Sequence, residues 1–122
     1  MKHFSELKQG DKIWGIYEAG TDGDWRKEEL TVQAVHKEDH TYEFYVDGEY
    51  THCVLVMKGI EPFGPKQYNS LMCLYTSEVQ ATEDYIEMLE KQINLVKETI
   101  IKLERKQRLM AKKLEKECII RG

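Results

Sequence analysis

Imidazole and thiolate are the common protein ligands of transition metals, and this chain holds four histidines and three cysteines. His3, His36, His40 and His52 are scattered along the chain, as are Cys53, Cys73 and Cys118. Only His52 and Cys53 are neighbours, and neighbours on a strand point to opposite faces, so the two do not share one ion. No C-x-x-C or H-E-x-x-H spacing occurs, and the sequence predicts no metal and no cofactor. Paired carboxylates serve general acid–base chemistry when a desolvating pocket keeps one of them protonated. Asp22–Asp24 and Glu28–Glu29 instead read as part of a solvated turn, and the first pair lacks the residues that complete an EF-hand loop. Neither a phosphate-cradling glycine pattern nor G-x-S-x-G is present. The expectation is a protein with no catalytic residue, not an enzyme.

Cations form the most regular group. Lys102, Arg105, Lys106, Lys112, Lys113 and Lys116 share one side of a C-terminal helix. Such spacing could track a phosphate backbone. Long helices also solvate themselves with lysine, and Glu98–Lys102 and Glu104–Arg108 stand at the i,i+4 spacing of helical ion pairs.

The elements that carry these residues divide near Thr76. Residues 1–76 hold both prolines, every glycine but Gly122 and every aromatic but Tyr85; the remainder is almost purely helix-forming. Domain limits of 1–76 and 77–122 follow. In the first part, "DKIWGIYE" sets Ile13, Gly15 and Tyr17 against Trp14 and Ile16 in strand alternation. "ELTVQAVH" places Leu30, Val32 and Ala34 on one face, and "TYEFYV" does the same for Tyr42, Phe44 and Val46. Asp47–Gly48 signals a two-residue hairpin turn, with "EYTHCVLVM" as the returning strand. Pro62 and Pro65 break the chain before a last short strand in "LMCLYT". Five short strands of this kind suit a small closed barrel.

The opening stretch "FSELKQGDKIW", with Phe4, Leu7, Gly10, Asp11 and Ile13, resembles the L-x-x-G-D-x-[IV] lead-in of SH3-like small barrels. The resemblance covers roughly residues 4–76. It implies a small antiparallel barrel of a kind that binds peptides, nucleic acid or other domains. The fold class expected is α+β, an SH3-like antiparallel barrel followed by one long helix forming a coiled coil or bundle.

The helix starts near Ser77, which with Gln80 makes a capping box. With Ile86 as heptad position a, the seam runs Ile86, Leu89, Ile93, Val96, Ile100, Leu103, Met110 and Leu114, with only Gln107 and Glu117 polar among ten seam positions. Left in water such a stripe contributes nothing, so the helix implies a partner. Met88, Leu95, Ile101 and Leu109 lie off the seam and would either dock on the barrel or recruit further helices. Residues 1–96 carry 9 Lys/Arg against 18 Asp/Glu, whereas residues 97–122 carry 9 against 4. An antiparallel dimer sets the acidic half of one helix beside the basic half of the other, and it is favoured over a parallel one on that ground. The same charges also suit the dipole of a single helix.

Trp14, Trp25, Tyr45, Tyr50, Phe63 and Tyr68 are too many for one small core, so some are expected at the surface. Trp14, Trp25, Tyr45 and Tyr50 are the candidates for contact with a partner protein. No apolar run is long enough to span a bilayer. The polar N-terminus and the odd, dispersed cysteines point to the cytoplasm. The functional expectation is a non-enzymatic interaction module, an oligomer of acidic barrels joined by helices. Two others stand beside it: a nucleic-acid-associated protein using the basic helix face, and a small acidic inhibitor that imitates nucleic acid and blocks a nucleic-acid enzyme.

Overall fold

The computed structural model describes residues 2–20, 23–59, 63–69 and 71–121, with 119–121 as backbone alone. Asp22 and Pro62, to which the sequence assigned an acidic pair and a chain break, lie outside those residues. Among the described residues a single 3-10 turn (Phe4–Glu6) is followed by six strands and one α-helix: β1 (Lys12–Ala19), β2 (Asp24–Glu38), β3 (Thr41–Asp47), β4 (His52–Lys58), β5 (Lys66–Tyr68), β6 (Met72–Tyr75) and α1 (Glu78–Arg121). The strands form one curled antiparallel sheet, a half-barrel ordered β4-β3-β2-β1-β6-β5, and the fold is α+β. The sheet has one strand more than expected. Lys66–Gln67–Tyr68 has no apolar alternation to announce a strand, and β5 exists because β6 offers it a ladder.

The lead-in residues have individual physical roles. Phe4 and Leu7 are buried in the main core with Ile13. Gly10 has φ +93°, a conformation that side chains disfavour, and its N–H donates to the Val32 carbonyl at 2.8 Å. The Asp11 carboxylate accepts the Lys8 N–H at 3.0 Å and the Lys2 ammonium at 3.0 Å. Those bonds, the Lys8 one foremost, hold its pKa below the ordinary value.

One face of the sheet carries the main core. Ile13, Leu30, Val32, Phe44, Val46 and Leu55 pack there, closed by Phe4, Phe63 and Leu74. Phe4 meets Phe44, and Phe63 meets Tyr42, both edge to face with centroids 6.1 and 5.3 Å apart. Leu30 and Val32 point inward as the alternation of β2 predicts, but Ala34 does not. The register shifts between Val32 and Ala34, a β-bulge that inserts one residue and reverses the phase. Ala34 is therefore exposed, and Val35 turns in to pack against the core.

The opposite face of β1 buries a second cluster. Ile16, Tyr75 and Ala81 are its centre, with Trp14, Trp25, Cys73, Tyr85 and Met88 around them. The first turns of α1 thus belong to the same compact unit as the sheet, which ends at Met88; residues from Leu89 form a second unit. Ser77 caps the helix, its hydroxyl accepting the Gln80 N–H at 3.4 Å. Polar bonds then fix the docking. Tyr85 donates its hydroxyl to the Trp25 carbonyl at 2.6 Å, and Lys27 donates to Thr82 at 2.8 Å. Asp84 accepts from Lys66 Nζ at 2.6 Å and from the Tyr75 hydroxyl at 2.8 Å.

These bonds move three titrations outward. The Lys66 and Tyr75 bonds hold Asp84 below its ordinary 3.8, so its stabilising share is present above that pH and is lost as pH falls through the folded value. Asp84 raises Lys66 above its ordinary 10.5, and burial, reinforced by Asp84, raises the Tyr75 phenol above 10.0. Both of those shares are complete below pH 10 and fade above it. Asp84→Asn keeps the shape, removes the charge and loses one strong acceptor. It is expected to cost about 1.5–3 kcal/mol, read as a lower melting temperature at pH 7 whose difference from the parent shrinks at pH 3.

Candidate functional site

In β2, Glu28 shares its phase with Leu30 and Val32, so the local pattern turns a carboxylate inward. It is buried, and four donors converge on it. The Tyr17 and Thr51 hydroxyls donate to Oε1 at 2.9 and 2.8 Å. The backbone N–H groups of Tyr50 and Thr51 donate to Oε2 at 3.1 and 3.0 Å. Burial alone would push this carboxyl up; the four bonds outweigh it and hold the group below its ordinary 4.5. With its acceptor sites engaged by the fold, Glu28 acts as a brace for the β3–β4 turn.

That brace corrects the hairpin expected from Asp47–Gly48. Asp47 still belongs to β3, and the turn lies two residues later, closed by the Gly48 N–H to the Thr51 carbonyl at 2.8 Å. Gly48 serves by lacking a side chain. A Cβ there would overlap Glu28 Oε2 and lie 2.7 Å from Leu30 Cδ2.

Above Glu28 opens a recess of about 670 Å³ walled by Tyr17, Tyr50 and Tyr85, with Arg26 and Glu49 at its rim. Arg26 is already engaged by Asp24 at 3.0 Å. Aromatic walls and a rim of both signs make this a surface for polar contact, and its buried carboxylate is held in the charged form. Elsewhere, burial raises the Cys53 and Cys73 thiols. Among the described residues no three His, Cys, Asp or Glu side chains gather as a metal would require.

The aromatics proposed for partner contact divide. Trp14 and Trp25 are half-buried against the first turns of α1. Tyr45 and Tyr50 are exposed, at 42% and 68%. On the helix, Leu89 is half-buried, while Ile86, Ile93, Val96, Ile100, Leu103, Met110 and Leu114 are all exposed. Of the off-seam residues, Met88 packs in the second core cluster, whereas Leu95, Ile101 and Leu109 are exposed. Lys102, Arg105, Lys106, Lys112, Lys113 and Lys116 are exposed as well. Sequence reasoning placed Glu28 in a solvated turn, although its phase with Leu30 and Val32 was the available sign of burial. Among the described residues no helix is long and apolar enough to cross a membrane. No protein-family model, curated protein or solved structure matches the chain.

The brace makes a specific pH dependence. Its contribution is complete above pH 4.5 and declines as the pH falls through the lowered folded value. Glu28→Gln removes the charge and presents an amide to donors, and is expected to cost about 1–3 kcal/mol at pH 7. Gly48→Ala should cost a similar amount through overpacking. Thermal melts at pH 7 and pH 3 check both. The deficit of Glu28→Gln should narrow in acid; that of Gly48→Ala should narrow less, because the overlap with Leu30 persists when the displaced Glu28 carboxyl is protonated.

Proposed function

We propose that this chain is a non-enzymatic interaction protein whose helix joins two copies side by side in opposite directions. One observation carries the reading: the apolar seam from Ile93 to Leu114 is half-exposed along its length, on a helix whose start is acidic and whose end is basic. Residues 78–96 hold five carboxylates against Lys91, and residues 97–122 are the reverse, with 9 cations against 4 anions. Antiparallel pairing centred near Ile100 brings Ile86 to Leu114 and Glu87 toward Lys113 of the second copy. Parallel pairing would set like charges together. Covering each half-exposed seam residue contributes about 1 kcal/mol, and the charge pattern selects the direction. The helices then join two acidic sheet units, whose outer surfaces meet a partner protein.

Mass in solution tests this. Light scattering at tens of micromolar should give a dimer for the parent chain and a monomer for Ile93→Asn/Ile100→Asn, with the near-ultraviolet signature of the sheet unit unchanged. A monomeric parent would sink the proposal. Lys112→Glu/Lys113→Glu should weaken the dimer, most at low salt. If those lysines instead serve nucleic acid, the same variant stays dimeric and loses salt-sensitive binding in a gel shift.

A further inference from the structure

We propose that the outer edge of β4 takes an extended basic segment of a partner protein as a seventh strand. The proposal rests on the interaction-protein reading above and names the partner's chemistry. Among the described residues β4 ends the sheet, with β3 on its inner side. In an antiparallel ladder, pairs that exchange two hydrogen bonds alternate with pairs whose backbone groups point away from each other. Two bonds fix the parity here. Gly48 N–H donates to the Thr51 carbonyl at one end of the hairpin, and Gly59 N–H donates to the His40 carbonyl at the other. Counting inward by twos, Val46–Cys53, Phe44–Leu55 and Tyr42–Met57 are the bonded pairs. The N–H and C=O groups of His52, Val54, Val56 and Lys58 therefore face outward.

The same parity governs the side chains. Cys53, Leu55 and Met57 turn toward the core, whereas Val54 and Val56 stand on the outer face at 45% and 49% exposure. Tyr45, opposite Val54, extends this apolar surface one strand inward. The exposed backbone groups and the exposed β-branched side chains thus belong to the same two residues. This is what strand addition uses: the ladder supplies affinity, and alternate side chains supply selection.

Charge chooses the occupant. Glu43 lies opposite Val56 and is the anion within reach of the edge; Asp47 is already paired with His52, and Glu38 stands on β2 opposite Thr41. A lysine on an added strand, placed opposite Val56, lays its methylenes over the valine and reaches toward Glu43, two strand spacings or about 10 Å away. A second copy fits less well. Residues 1–88 carry 8 Lys/Arg against 17 Asp/Glu, so edge-to-edge pairing would join two acidic bodies.

The probe is a fluorescein-labelled, acetylated heptapeptide of alternating lysine and valine, read by anisotropy with the full chain. Binding is expected, with the glutamate–valine counterpart at least tenfold weaker. Val56→Pro removes an outward N–H without touching the β3–β4 ladder, and should weaken binding at least tenfold at an unchanged melting temperature. Should Val56→Pro unfold the sheet, N-methylation of the peptide's edge-facing amides poses the same question with the protein unaltered. Equal binding of both peptides, or indifference to proline and to N-methylation, overturns the proposal. So does a drop in assembly mass on Val56→Pro, which would give the edge to a second copy. Ile93→Asn/Ile100→Asn should bind the peptide like the parent, separating this edge from the helix; loss of binding there would place the peptide on the helix and overturn the assignment.

Discussion

Everything in the sheet unit depends on β1 being buried on both faces. Ile13 belongs to one core and Ile16 to the other, three residues later on the same strand. A half-barrel can cover only one side of such a strand by curling. The other side needs a lid, and Ala81, Tyr85 and Met88 supply it from the start of α1. Small Ala81 lets the helix approach, and Asp84 ties it to Lys66 and Tyr75 across the edge of the sheet. The helix start is thus as much a part of the core as any strand.

Glu28 shows the same economy in polar form. A buried carboxylate is costly unless its hydrogen-bonding capacity is met. Here the donors come from three places, Tyr17 on β1 and the backbone and side chain of the β3–β4 turn. The bonds that make burial tolerable also decide where the turn falls, and Gly48 leaves the room. Local turn chemistry at Asp47–Gly48 yields to this tertiary demand.

Much of the fold was legible because alternation and helical periodicity are local. Strands β1, β3 and β6, the glycine-rich approach to β2 and the start of α1 at Ser77 all follow from neighbours in sequence. What escaped depends on residues far apart. The bulge after Val32 leaves no mark in apolar content, so Ala34 was placed inside. Strand β5 is three residues that pair only because β6 lies next to them. The tryptophans looked like surface anchors because nothing local shows that Ala81 and Tyr85 will cover them. The helix itself was legible along its length, since helical periodicity is local; from Ile93 onward the residues of its apolar seam are exposed, as are their neighbours on every side.

Beyond Leu89 every described side chain except Gln92 is exposed. An isolated helix of that length is only marginally favourable in water, because each added residue gains little more than its backbone bond. The two parts of α1 therefore answer to different thermodynamics. Amides up to Met88 should open only when the sheet opens, while those beyond it exchange with solvent on their own schedule. In the proposed dimer the ordered length of this helix becomes a variable set by mass action, growing with the concentration of the chain. A change in helicity on dilution would then report occupancy of the seam directly, without any label.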